Sequence, residues 1–119
     1  MHRIWIGLGA LAGLTAVAMA AVAAHGVSDP AALEMVRSGV QMHGWHALAL
    51  VATGVWAERR GGVVVHLAGV AFALGLIAFC GAVYLLALDG VRLPSVAPAG
   101  GTILMLGWAL LGLSALRGR

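Results

Sequence analysis

The chain is poor in charge and nearly free of cysteine. Of its 119 residues only 9% are Asp, Glu, Lys or Arg, against roughly 25% in soluble domains. A small water-soluble fold has too little interior to hide a chain that is 62% hydrophobic, because burial falls with size. Lipid must therefore be much of the solvent. Lysine is missing altogether: the seven basic residues are all arginine, against four acidic ones, for a net charge of +3. These arginines stand at the ends of apolar segments, which argues against a nucleic-acid surface. A single cysteine, Cys80, excludes an internal disulfide and any metal site built of cysteine alone.

What is present is a set of four apolar runs, which predicts an all-α membrane protein. The expected architecture is one domain over residues 1–119, a four-transmembrane-helix bundle with spans at about 4–25, 39–57, 63–88 and 96–116. The run from Ile4 to Ala24 has 21 residues, longer than the roughly 7–15 of a signal-peptide core, so it reads as a retained first span. Gly9 and Gly13, with Ala16 and Ala20 after them, make a small-residue strip that lets a neighbouring helix approach; packing inside the bundle is the preferred reading over a dimer face. Asp29-Pro30 suits an N-cap followed by the first helical position. From Ala31 to Val40, apolar Leu33, Val36 and Val40 oppose Glu34, Arg37 and Ser38. This pattern predicts a short interfacial helix between spans 1 and 2, resting at the membrane surface or running into the second span, with Gly39 and Gly44 as bend points. Gly61-Gly62 and the Asp89–Ser95 loop separate the later spans.

Four spans bring both chain ends to one side. That side carries Arg3, Arg59, Arg60, Arg117 and Arg119, while Arg37 and Arg92 fall on the other. Arginine excess marks the cytoplasmic face, so both termini are expected in the cytoplasm. Trp5, Trp56 and Trp108 then lie toward the inner half and Trp45 toward the outer, in keeping with interfacial anchoring.

The segment Gln41-Met42-His43-Gly44-Trp45-His46 is the chemical oddity. His46 lies about 16 Å up the helix from Ala57 at ~1.5 Å per residue, well inside a core roughly 30 Å thick. An ionisable group at that depth is a functional-site candidate by default. The plain expectation is a hydrogen bond from His25 or His46 that joins the first two helices. The sharper ones are a metal or haem site on His25, His43 and His46, imidazole being a good ligand for zinc, copper or iron, or a quinone-like ligand held by His25, His46 and Tyr84, or a proton relay in a transporter. The i,i+3 spacing of His43 and His46 has no Glu-x-x-His or Cys-x-x-Cys companion, and the spans hold no Asp or Glu. His66 is expected near interfacial water, Cys80 as a buried small apolar residue, and Thr15 bonded to a carbonyl of its own helix. No nucleophile–base–acid set or phosphate-binding loop occurs, so the expectation is a protein that is not an enzyme.

Several blocks in order resemble one family. Ala24-His25-Gly26, Trp45-His46-Ala47-Leu48-Ala49, Phe79-Cys80-Gly81-Ala82-Val83-Tyr84, Pro98-Ala99-Gly100-Gly101 and Gly107-Trp108 are similar to motifs of domain-of-unknown-function family 423, bacterial inner-membrane proteins related to the transmembrane protein 256 family of eukaryotes. Cys80 stands where that family usually has Ser, and Met42-His43 where it often has Tyr-Gln. The resemblance implies four helices in a bacterial inner membrane and carries no activity. The first functional expectation is a non-enzymatic accessory or packing subunit of a membrane complex, or a homo-oligomer, in contact with the lipid bilayer. The alternatives are a small ligand-binding membrane protein using the histidines, with no particular cofactor specified, and a proton-coupled transporter.

Overall fold

The computed structural model describes residues 1–117, which form four helices: α1 (His2–His25), α2 (Pro30–Arg60), α3 (Val63–Asp89) and α4 (Val96–Leu116). Arg119, counted above on the cytoplasmic side, lies outside the described residues. The helix ends follow local chemistry. The Asp29 side chain accepts the Ala32 N–H at 2.9 Å with Pro30 in the first turn, which satisfies one of the orphan donors of a helix start. Between α2 and α3 the chain reverses through Gly61 and Gly62, with φ of 69° and 92°, values that side-chain-bearing residues rarely adopt. Gly90 ends α3 in the left-handed conformation, a common helix terminator.

Each helix packs chiefly on its neighbour in sequence, α1 on α2, α2 on α3 and α3 on α4. The central pair α2–α3 therefore separates α1 from α4. Contacts at one end join the start of α1, the α2–α3 turn and the last turns of α4: His2 Nε2 lies 4.0 Å from Glu58, and the Trp56 indole donates to Ser114 Oγ at 3.1 Å. Consecutive helices are antiparallel as a result. Three indole N–H groups tie non-sequential helices: Trp5 to His66 Nδ1 at 2.9 Å, Trp108 to His46 Nε2 at 3.0 Å, and the Trp56–Ser114 bond. Tryptophans read only as interface anchors thus also bind α1 to α3 and α2 to α4.

By length and composition α1, α3 and α4 are able to cross a membrane. α2 is the longest helix, 31 residues, but its polar residues keep it below that standard. Residues 31–40 are not a separate interfacial helix; of the two expectations the second holds, and they run into the expected second span as the opening turns of α2. The reason is burial. Val36 is fully enclosed, Leu33 and Val40 are half-buried, and Gly39 lies against Val83 and Tyr84 of α3. The amphipathic face that would float on a surface is used on the end of α3, so nothing breaks the helix at Gly39 or Gly44.

Close approach depends on a few glycines. A Cβ on Gly9 would meet Val51 Cγ2 at 2.7 Å and the Ala47 carbonyl at 2.8 Å, whereas one on Gly13 would stand 4.0 Å from Ala47. The strip on α1 therefore faces α2, as the intrabundle reading requires. It continues through buried Ala16 and Ala23, while Ala20 is exposed. At Gly100 the neighbour is backbone: an added Cβ would lie 2.5 Å from the Phe79 nitrogen and 3.0 Å from its Cα, which no rotamer change relieves. Gly7 has nothing within 4 Å. Gly100→Ala is expected to lower unfolding stability in detergent by about 1–3 kcal/mol, the usual cost of overpacking. Gly7→Ala is expected to leave it unchanged or raise it by up to about 1 kcal/mol through helix propensity.

Candidate functional site

Three helices meet at the imidazole of His43. It is 8% exposed and bonded on both nitrogens: Nε2 lies 3.0 Å from Thr15 Oγ1 of α1, and Nδ1 lies 3.0 Å from the Tyr84 hydroxyl of α3. Thr15 in turn donates to its own helix, at 3.1 Å from the Leu11 carbonyl or 3.0 Å from that of Ala12. While Thr15 donates to its own helix, proton accounting gives one direction for the rest. With the Thr15 proton on a carbonyl, its oxygen accepts from His43 Nε2–H, and His43 Nδ1 then accepts from the Tyr84 O–H. The result is a polar chain across three helices with no ionised member.

His46 is a separate cluster. Its Nδ1 is 2.7 Å from the Met42 carbonyl and must carry the proton, since a carbonyl only accepts. Nε2 is left as the acceptor of the Trp108 N–H at 3.0 Å. Phe72 and Trp108 enclose the ring, with centroids 5.8 Å away in both cases. The imidazole is 2% exposed and both of its nitrogens are engaged.

These positions rearrange the expected sites. His25, named for both the metal and the ligand set, is exposed at the C-terminal end of α1. The imidazole hydrogen-bonded between α1 and α2 is that of His43, to Thr15, rather than that of His25 or His46. Tyr84 is reached by His43, not by His46. Residues three apart on a helix point about 60° apart, which follows from 3.6 residues per turn; this is enough for His43 to face α1 and α3 while His46 faces α4. Among the described residues no group of three or more His, Cys, Asp or Glu side chains is placed to hold a metal ion, so His25, His43 and His46 are not brought together. Sequence reasoning assigned Thr15 only its local carbonyl bond and gave Trp108 no polar partner. The one available signal was that both are hydrogen-bonding groups within apolar spans, where such groups need partners. Cys80 is buried as expected, with Sγ 3.5 Å from the Gly39 carbonyl, and half-buried His66 accepts the Trp5 indole N–H on Nδ1.

Beside the His43 chain lies a groove between α1 and α3, with a volume of about 390 Å³. Leu8, Leu11, Leu76 and Ile77 form much of its wall, which is almost entirely apolar; Thr15, His43, Cys80 and Tyr84 are its lining residues with polar groups, and no charged residue lines it. Ile77, 72% exposed, marks its outer rim. A size of roughly 300–1,000 Å³ with mostly apolar walls and a few convergent polar groups is typical of small-molecule sites.

Comparison with known proteins adds identity without activity. Residues 19–101 match the family described as protein of unknown function, DUF423. The chain is 34% identical to the UPF0382 inner membrane protein YgdD of Escherichia coli K12, over 97% of this chain and 91% of that protein. It is 30% identical to the UPF0382 membrane protein YwdK of Bacillus subtilis, over 97% and 98%, and 28% identical to a UPF0382 membrane protein of Haemophilus influenzae, over 100% and 98%. No solved structure matches the chain. The apolar helices, the charge-free interior and these relatives agree: the chain is a small membrane protein belonging to the DUF423 family.

Proposed function

We propose that the protein crosses the bacterial inner membrane four times with both ends in the cytoplasm, and that it is a non-enzymatic binding protein for a small apolar molecule taken from the lipid phase. The topology rests on two supports. α2 runs the length of the bundle with its polar side chains His43, His46 and Thr53 turned inward and buried, and Trp45, Leu48 and Val55 turned outward. A helix too polar by composition can cross lipid when its polar atoms face protein. The distribution of arginines supplies the orientation, with Arg3, Arg59, Arg60 and Arg117 at one end and Arg37 and Arg92 at the other. In a Cys80→Ser chain, a cysteine at position 92 is expected to react with a membrane-impermeant maleimide on intact spheroplasts. A cysteine at position 59 is expected to react only after lysis; the opposite pattern overturns the orientation.

The observation that carries the binding reading is the groove between α1 and α3, lipid-facing along its rim and polar only at the His43 chain. A second reading, the packing subunit of a larger complex or a homo-oligomer, draws on the outer helices. Only 22% of the most apolar stretch of α1 and 17% of that of α4 is buried, against 44% for α3, so these helices leave broad apolar faces for lipid or another chain. Native mass spectrometry of protein released from its own membranes distinguishes the two. The binding reading expects an apolar adduct of a few hundred daltons at one per chain, lost on Ala73→Phe, which fills the groove. Chains that carry no adduct, alone or in a stable assembly, contradict it, and the assembly outcome supports the subunit reading.

A further inference from the structure

The geometry points to a specific class of occupant for the groove: a neutral amphiphile whose head is a carbonyl or hydroxyl on a small ring, of the quinone and quinol type. This inference rests on the groove reading above and adds the chemistry of the head. Three observations carry it. First, the groove has no charged lining residue, so a phosphate or carboxylate head would lose its hydration with no countercharge to replace it. Second, the lining residues with hydrogen-bonding groups, Cys80 aside, form one connected chain, Thr15–His43–Tyr84, with links of 3.0 Å and 3.0 Å. Third, that chain is reversible.

In the direction described above, the Tyr84 O–H donates to His43 Nδ1, and the phenol oxygen has only lone pairs left to offer a head group. A hydroxyl head donates to it without any rearrangement. In the reverse direction, Thr15 turns its proton from the Leu11 or Ala12 carbonyl to His43 Nε2. The imidazole becomes the Nδ1–H tautomer and donates to the Tyr84 oxygen, and the Tyr84 O–H points into the groove. A carbonyl head accepts from it. Each group holds as many protons in one form as in the other, and both forms are neutral. The imidazole changes tautomer by exchanging its Nε2 proton for one on Nδ1 with water before the head group seats, not by a relay along the chain. A neutral imidazole between two hydroxyls is able to do this because it has one donor and one acceptor that exchange places with the tautomer. The site therefore accepts both a carbonyl and a hydroxyl at one position. The hydroxyl form is favoured, because binding a carbonyl gives up the Thr15 bond to its own helix. His46 lacks this freedom: a backbone carbonyl holds its Nδ1–H and an indole N–H holds its Nε2.

The test uses the full chain in lipid nanodiscs and three probes with the same decyl tail: a 1,4-benzoquinone, its hydroquinone, and an alkylbenzene without oxygen. Calorimetry is expected to show both oxygenated probes binding, the hydroquinone more tightly, and the alkylbenzene at least about tenfold more weakly. Tyr84→Phe keeps the ring that packs on Gly39 and is expected to reduce both oxygenated probes to the level of the alkylbenzene. Thr15→Val, an isostere, is expected to remove the preference between them. The 15N shifts of the His43 ring give an independent readout: Nε2–H in the empty and hydroquinone-bound protein, Nδ1–H with the quinone. Equal binding of all three probes, or binding indifferent to Tyr84→Phe, overturns the head-group inference and leaves the groove reading standing. Binding of none of them overturns both.

Discussion

The bundle depends on one constraint: polar atoms inside an apolar medium must be bonded to one another. Lipid offers no hydrogen-bond partner, and an unpaired polar group there costs several kcal/mol. In the proposed four-span topology α2 brings His43, His46 and Thr53 into that setting, each at most 8% exposed. The answer is a partner for each: Thr15 and Tyr84 for His43, the Met42 carbonyl and Trp108 for His46, and the Ala49 carbonyl for Thr53 at 2.7 Å. Among the described residues no buried side-chain nitrogen or oxygen lacks a partner. Each imidazole reaches a different set of helices, so the polar residues of α2 also specify which helices surround it. Individually such bonds contribute about 0.6 kcal/mol in membranes, and up to about 2; their larger effect is to exclude rotations of α2 that would leave an imidazole without partners.

Backbone proximity is the second half of the same arrangement. Gly9 and Gly54 let α1 close on α2, and Gly75, Gly100 and Gly107 let α4 close on α3. Among the described residues α1 meets α3 closely at one glycine, Gly69, where an added Cβ would lie 2.5 Å from the Trp5 ring; the neighbour there is a large side chain, not backbone. There the spacing is wider, held by larger side chains, and the groove beside Tyr84 is the space that remains. The close seams and the open one therefore come from the same distribution of small residues, and the open seam is the one with a polar chain in its wall.

Much of this was legible in the sequence. The four helices, the Asp29–Pro30 start of α2, the Gly61-Gly62 turn and the inward use of Gly9 follow from local rules that act within a few residues. Two things did not follow. Residues 31–40 have the apolar stripe of a surface helix, and the same stripe serves equally to pack on a neighbouring helix; only the presence of Val83 and Tyr84 at the matching height decides between them. The grouping of the histidines also depended on crossing geometry. His43 and His46 are three residues apart and so look like one site, yet about 60° of rotation sends them to different helices. His25, adjacent to the α1–α2 turn, was legible as polar but not as exposed. His43, like Met42 and Cys80, is also one of the positions where the sequence departs from the motifs it resembles, so the resemblance gave no pointer to this lining residue of the groove.

The central claim is that α2 lies within the bilayer with its histidine face against protein. Spin labels placed singly along residues 43–55 in a Cys80→Ser chain, in liposomes, test it most directly. The account predicts low collision with a water-soluble nickel chelate throughout. Oxygen collision is expected to rise and fall with a helical period, high at Trp45, Leu48 and Val55 and low at Leu50 and Thr53. Strong collision with the nickel chelate at these positions, or oxygen access without a helical period, contradicts it.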